Sequence, residues 1–121
     1  MAARGELPVI QRTYDFILWA VPWLGRLPRD HKFQIGDRIT DGLYGLLEGL
    51  LQARYARDKA ERLSILNGAL DVLRYQFRLL LDLKLVPVNR YEFAAQALVD
   101  IGRELGGWRK ASGPRAEGLS Q

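Results

Sequence analysis

Two arginines, Arg74 and Arg78, are the residues whose type and spacing most favour a chemical task in this chain of 121 residues. Side chains four positions apart project from the same face of a helix. Two guanidinium groups on one face can bind the oxygens of a phosphodiester backbone in pairs. The same predicted helix carries further cations toward its two ends, namely Lys59, Arg62 and Lys84. Together these five residues form the candidate nucleic-acid-binding set.

The same helix also permits a plainer interpretation. Asp71 and Asp82 lie close enough in sequence to pair with Arg74 and Arg78, and such surface ion pairs contribute only tenths of a kcal/mol. The chain has 18 basic and 14 acidic residues and a formal net charge of +4. A charge this mild permits an anionic partner without requiring one. From the residues alone, phosphate contact and simple solubility both stay open.

Catalytic and metal-binding patterns are scarce in the sequence. His31 is its single histidine, and it contains no cysteine. Asp37 and Asp41 share a helix face, but the Glu-x-x-His pairs of di-iron bundle sites do not occur. A phosphate-binding loop and a dinucleotide-binding fingerprint are missing as well. We therefore expect a protein that is not an enzyme and that uses neither a metal ion nor a cofactor.

The spacing of apolar residues predicts an all-α chain. The expected helices cover residues 9–24, 30–56, 58–84 and 89–110. Their expected N-caps are Asp30, Asp58 and Asn89, and Glu61 completes a capping-box spacing with Asp58. Amphipathic helices joined by short connections favour an antiparallel up-and-down four-helix bundle. We expect this bundle to fill residues 1–112 and residues 113–121 to form a disordered tail.

Aromatic residues divide between the expected core and the expected surface. Tyr14 begins the apolar stripe of the first helix, Phe33 begins that of the second, and Trp108 ends that of the fourth. All three are therefore expected to pack inside. Trp19 and Trp23 lie off the first stripe and predict an exposed apolar patch, which is typical of a partner surface.

Glycines inside the second and fourth helices predict close packing. A glycine costs about 1 kcal/mol relative to alanine in an exposed helix, so tertiary contact must compensate for it. Gly45 and Gly49 share one helix face, and Gly102, Gly106 and Trp108 of the fourth helix join them in the candidate packing set. Packing between the helices of one bundle and packing between subunits are both open interpretations.

The sequence lacks a transmembrane segment, because no apolar run reaches the 18 or so residues that a span needs. The nearest run, residues 16–25, contains Pro22 and is not followed by the small residues of a signal-peptide cleavage site. The lack of cysteine fits a reducing compartment. We expect the protein to be cytoplasmic.

Three short motifs in the last two helices resemble one known family. They are ALDVLRYQFRLL at residues 69–80, YEFA at residues 91–94 and IGRELGGW at residues 101–108. They resemble the Avd family, the accessory variability determinants of diversity-generating retroelements. That family is related to four-helix-bundle proteins encoded in intervening sequences of ribosomal RNA genes. The resemblance extends over about residues 30–110 and is clearest in the last two helices.

The resemblance implies a function as well as a fold. Avd-like proteins form a homopentameric ring, associate with a reverse transcriptase and bind nucleic acid through a positively charged surface. They support mutagenic reverse transcription and retrohoming, in which template RNA is copied into cDNA, and they are not known as enzymes. Arg74 and Arg78 match the basic pair of that family. Two alternatives remain: a ribosomal-RNA intervening-sequence protein, and a helical interaction module with no nucleic-acid role.

Overall fold

Four long helices pack around one core. The computed structural model describes residues 6–112, with side chains from Pro8 onward, and it contains no strand within that range. The helices are α1 (Glu6–Leu24), α2 (Asp37–Ala53), α3 (Lys59–Asp82) and α4 (Val88–Ser112). α1 packs on α2 and α4, and α3 packs on the same two helices. The predicted all-α four-helix architecture is confirmed, and the predicted tail at residues 113–121 lies outside the described range.

A short helical segment leads into α2. It consists of an α-turn at Arg29–His31 and a π-turn at Lys32–Gly36. Pro28 precedes it, and its carbonyl accepts hydrogen bonds from the backbone N–H groups of His31 and Lys32 at 2.9 and 2.8 Å. Asp30 thus lies in the first turn, and its predicted role as an N-cap is wrong. A π-turn holds more residues than an α-turn and shifts the register of the residues before it. Phe33 consequently faces solvent, and its predicted core position is wrong.

The start of α3 follows the prediction. The side chain of Asp58 accepts a hydrogen bond from the backbone N–H of Glu61 at 3.1 Å, so the predicted N-cap is confirmed. α4 instead begins at Val88, directly after Pro87, whose carbonyl accepts from Arg90 and Tyr91. Asn89 therefore lies inside the first turn, and its predicted capping role is wrong.

α3 ends in a Schellman motif. Leu85 N–H donates to the carbonyl of Leu80 at 2.8 Å, and Lys84 N–H donates to that of Leu81 at 2.9 Å. Lys84 has a φ of 61°, the left-handed conformation that this motif requires and that glycine usually supplies. The predicted ends of the second and third helices, at residues 56 and 84, lay slightly beyond the observed ends at Ala53 and Asp82.

The core of α1 is wider than its predicted stripe. Trp23 is buried, and Trp19 packs against Trp23 and Phe93 at ring-centroid distances of 5.4 and 4.5 Å. The predicted exposed patch at Trp19 and Trp23 is therefore wrong, because α1 packs on two helices at once and buries a broad face. Tyr14 lies outside that face and is exposed, contrary to prediction, while Trp108 is buried as predicted.

The interior glycines fall into two groups. A Cβ built at Gly49 would collide with Leu66 of α3, and one built at Gly102 would collide with the guanidinium of Arg74. These two glycines allow neighbouring helices of the same bundle to approach closely. A Cβ built at Gly45 or Gly106 meets no heavy atom of the described residues within 4 Å. Packing inside the bundle therefore does not account for Gly45 and Gly106.

Candidate nucleic-acid interface

Arg74 bridges α3 and α4. Its Nη1 donates to Asp71 Oδ1 at 2.7 Å, and its Nη2 donates to the carbonyl of Leu98 at 3.5 Å. Its Nε is buried and has no hydrogen-bond partner within the described part of the chain. The side chain remains 38% exposed, so its outer edge still reaches solvent. Arg74 therefore holds two helices together and presents only part of its guanidinium to a ligand.

Arg78 lies one turn further along and is far more accessible. Its side chain is 63% exposed, and its Nε lies 3.8 Å from Asp82 Oδ2, which is at the limit of an ion pair. Such an exposed pair contributes little and can break to admit another anion. The predicted pair thus shares a face, but Arg78 is the member that is free to reorient.

The other three predicted cations do not extend that surface. Lys59 donates from Nζ to the carbonyl of Ala56 at 3.1 Å and so closes the connection before α3. Arg62 lies on the side of α3 that also carries Leu66 and Leu73, the residues next to α2, whereas Arg74 lies on the side next to α4. Lys84 follows the end of the helix. At 1.5 Å per residue the set extends over roughly 37 Å, too far apart to act as one cluster.

Arg12 of α1 is paired with two acidic residues of α4. Its Nε and Nη2 donate to the two carboxylate oxygens of Glu104, both at 3.0 Å, and its Nη1 lies 3.8 Å from Asp100. The hydrogen bond to Glu104 raises the pKa of Arg12 above its usual value. This fork-shaped contact ties α1 to α4, so the guanidinium of Arg12 is already engaged by carboxylates.

Comparison with known families now bears on these positions. A family model described as bAvd-like matches residues 7–112. The chain belongs to the bAvd-like family. The match includes all four helices, and it confirms the family that the motifs of α3 and α4 predicted. No curated protein and no solved structure shows a significant match.

Cations of this bAvd-like protein concentrate where its helices are joined. Residues 25–32 contain three cations and one acid, residues 83–91 contain two cations and no acid, and residues 54–62 contain four cations and two acids. The helix interiors lack this excess: residues 37–53 contain one cation and three acids, residues 63–82 contain two of each, and residues 92–112 contain three of each. The two ends of the bundle are therefore its positive surfaces.

Because successive helices run up and down, the α1–α2 and α3–α4 connections lie at the same end of the bundle. We call this the Phe33 end; its cations are Arg26, Arg29, Lys32, Lys84 and Arg90. Of these, the sequence prediction included only Lys84. The signal that could have found the others is their position beside the helix-breaking residues Gly25, Pro28 and Pro87.

The Phe33 end also pairs cations with aromatic rings. The guanidinium of Arg29 lies 5.9 Å from the centroid of the Phe33 ring, and the ammonium of Lys32 lies 5.1 Å from it. Arg90 lies 5.1 Å from the ring of Trp23. Trp23 is buried, whereas Phe33 is exposed, so of these two rings Phe33 is the one that a ligand can reach together with its cations.

No described helix of this bAvd-like protein is long and apolar enough to cross a membrane. Among the side chains from Pro8 to Ser112, no three His, Cys, Asp or Glu residues are placed to hold a metal ion. The groups that could meet a polyanion are the cations at the helix connections and the exposed Arg78 on α3.

Proposed function

We propose that this protein is the nucleic-acid-binding accessory subunit of a diversity-generating retroelement. In this role it works beside a reverse transcriptase in the cytoplasm, holding template RNA or cDNA during mutagenic copying, and it has no catalysis or cofactor of its own. Membership of the bAvd-like family supports the assignment to such a retroelement. The observation that carries nucleic-acid binding is the concentration of cations at the helix connections, above all at the Phe33 end.

The physical basis is contact with phosphates. Each phosphate that a cation neutralises releases condensed counterions, so affinity falls steeply as salt concentration rises. Such contacts position a nucleic acid without reading its sequence. Rigid helices hold the cationic connections at fixed separations, and the polymerase then receives a strand whose path is already set.

We further propose that several copies assemble, as a pentameric ring by resemblance to Avd proteins. Support comes from a second apolar stripe on α3, opposite its core stripe and facing solvent. Its members are Ile65, Val72, Tyr75, Leu79 and Leu83. Exposed apolar patches of this kind mark interaction sites. A ring multiplies the modest charge of each subunit, so the assembly attracts a polyanion more strongly than one copy does.

The nucleic-acid part of the proposal is tested by titrating RNA into the purified protein at several salt concentrations. We expect affinity to fall steeply with salt, with a logarithmic slope of about −0.7 for each phosphate contacted in a single strand. An affinity that does not change with salt would contradict phosphate binding and favour a protein-interaction module.

Charge reversal locates the surface. The double variant Arg26→Glu/Lys84→Glu reverses two cations of the Phe33 end, and Arg74→Glu/Arg78→Glu reverses the pair on α3. The control, Arg38→Glu/Arg103→Glu, makes the same change in net charge on the helix surfaces. We expect the first variant to lose about tenfold or more in affinity, beyond the loss in the control. A loss confined to the α3 variant would instead place the strand along α3.

The polymerase partnership needs a separate test. We expect the protein to co-purify with the reverse transcriptase encoded beside its gene when the two are expressed together. If the neighbouring genes encode no reverse transcriptase, the assignment to a retroelement fails, and the ribosomal intervening-sequence alternative takes its place.

A further inference from the structure

The Phe33 ring stands in solvent at a place where the backbone is specialised. It is 57% exposed and belongs to the π-turn Lys32–Gly36. Single π-turns inserted in helices are rare and are found often at functional sites. The turn changes the helical register just before α2 and directs this ring away from the core.

Packing holds the turn in place. Gly36 is buried, and a Cβ built there would lie 3.3 Å from Leu27 Cδ1 and 3.4 Å from the carbonyl of Leu24. The backbone of the π-turn therefore lies directly against the end of α1. At the other end of the segment, Pro28 accepts two backbone hydrogen bonds. The position of Phe33 is thus set before any ligand arrives.

Two cations complete the group. Arg29 and Lys32 lie within 6 Å of the Phe33 ring, where the negative face of an aromatic ring attracts positive charge. These two residues border a cleft of ≈ 360 Å³ together with Phe33, Gly25 and Leu27. A flat ring, a planar guanidinium and an ammonium therefore share one opening.

We propose that Phe33 and Arg29 form a stacking site for an unpaired nucleobase, with Lys32 binding the adjoining phosphate. The inference rests on the proposed nucleic-acid function and names its ligand as single-stranded RNA or DNA. Aromatic rings and arginine planes are the surfaces on which proteins stack unpaired bases. A base inside a duplex already has both faces covered, so a double strand meets only the cations here.

An acidic protein segment is the other anionic ligand that cations attract. It would use Arg29 and Lys32 in the same way, but a carboxylate gains nothing from the face of an aromatic ring. The exposed ring is therefore the feature that favours a nucleobase over an acidic peptide. A variant that lacks the ring but keeps both cations therefore distinguishes a nucleobase ligand from an acidic peptide.

The test compares Phe33→Ala with the matched control Tyr14→Ala, an exposed aromatic on α1 away from this group. Each protein is titrated with a fluorescent twelve-nucleotide oligouridylate, with an RNA duplex of equal length and with inorganic polyphosphate. We expect Phe33→Ala to weaken oligouridylate binding by about fivefold to a hundredfold, the range for loss of one stacked base. Binding of the duplex and of polyphosphate stays within about twofold of wild type, because these ligands use the cations alone. Tyr14→Ala leaves all three affinities unchanged.

Two further variants distinguish the loss of stacking from the loss of side-chain volume and from misfolding. Phe33→Trp keeps a flat ring and restores binding, whereas Phe33→Leu keeps apolar volume without a ring and does not. Equal affinity of wild type and Phe33→Ala for oligouridylate would overturn the stacking site while leaving phosphate binding intact. Failure of wild type to bind any of the three polyanions would overturn the proposed function itself. Polyglutamate is a fourth probe: if wild type and Phe33→Ala bind it equally tightly, and the loss of the ring leaves oligouridylate binding unchanged, the site belongs to an acidic protein segment instead.

Discussion

The guanidinium of Arg74 occupies the space that a side chain at position 102 would need, so Gly102 and Arg74 form one structural unit across α3 and α4. The glycine provides room, and the arginine fills it while donating to Asp71 and to the carbonyl of Leu98. The family motif IGRELGGW contains this glycine, and the motif ALDVLRYQFRLL contains this arginine. The two motifs are thus linked by one contact.

Replacement of Gly102 by alanine moves Arg74 outward. The colliding atom is the far end of a flexible side chain, and alanine gains about 1 kcal/mol of helix propensity over glycine. We expect the free energy of unfolding in urea to change by less than about 1 kcal/mol, since the propensity gain offsets the weak bond to Leu98. If Arg74 contacts phosphate, the RNA affinity of Gly102→Ala rises, because the displaced guanidinium lies further out. The control is Gly106→Ala, whose Cβ has no neighbour within 4 Å in the described part of the chain. A loss of stability well beyond that range would mean that Arg74 is fixed in the core.

Gly45 and Gly49 share a face of α2 but differ in what surrounds them. A Cβ at Gly49 collides with the buried side chain of Leu66, whereas one at Gly45 has no neighbour within 4 Å among residues that the structure describes. We expect Gly49→Ala to lower the free energy of unfolding by about 1–3 kcal/mol through overpacking. Gly45→Ala raises it by about 0.5–1 kcal/mol through helix propensity.

Thermal and urea unfolding measure both changes in the same buffer. If Gly45 lies between subunits, Gly45→Ala lowers the mass of the assembly while the single chain stays folded. If both alanine variants are equally stable, Leu66 can move aside, and the close packing of α2 on α3 is not tight.

Lys84 stands in a left-handed backbone conformation that favours glycine. We expect Lys84→Gly to raise the free energy of unfolding by about 1 kcal/mol, because glycine adopts this conformation without steric cost. The same change removes one cation from the Phe33 end and lowers RNA affinity. Lys84→Asn, which tolerates the conformation and is uncharged, lowers affinity equally. Unfolding curves and RNA titrations on the same samples check that stability rises in Lys84→Gly while RNA affinity falls. Unchanged RNA binding in both variants would exclude Lys84 from the interface.

Sequence patterns predicted the parts of this fold that depend on local spacing. The stripe that includes Leu63, Leu70 and Phe77 is buried, and Asp58 caps α3 as expected. Phe33 was misplaced because a π-turn changes register without an obvious sequence signal. Trp19 and Trp23 were misplaced because one helical stripe does not reveal that α1 has two neighbours.

The candidate site was harder to predict than the fold. Helical spacing places Arg74 and Arg78 on one face, but it does not reveal that Gly102 draws Arg74 between two helices. The cations of the Phe33 end come from connections far apart in sequence, so only the up-and-down topology brings them together. Counting the charges in each connection between helices, rather than in each helix, would have indicated the Phe33 end.

The contact of Arg12 with Glu104 is a paired, two-pronged hydrogen bond between α1 and α4. We expect a double-mutant cycle with Arg12→Ala and Glu104→Ala to give a coupling of about 0.5–1 kcal/mol, modest because both side chains remain partly exposed. The control cycle combines Arg78→Ala with Asp82→Ala, whose atoms lie 3.8 Å apart, and gives a coupling near zero. Equal coupling in the two cycles would show that the geometry of the Arg12 contact adds nothing.

The exposed stripe of α3 gives the sharpest test of assembly. Leu79 lies near the middle of its C-terminal half, between Tyr75 and Leu83, and all three face solvent. We expect Leu79→Glu to dissociate the protein, because a carboxylate buried without a partner at an interface costs several kcal/mol. Light scattering on a sizing column reports the mass, and circular dichroism confirms that the helices remain.

The matched control for Leu79→Glu is Leu18→Glu, which changes another exposed leucine, on α1, and leaves the mass unchanged. Dissociation should also reduce the salt dependence of RNA binding, because a strand then meets the cations of one copy instead of several. A wild-type protein that is monomeric at micromolar concentration, with Leu79→Glu indistinguishable from it, would show that copies of this chain do not cover the stripe. In that case the stripe would be left for the polymerase, and the assembly would have to form on that partner.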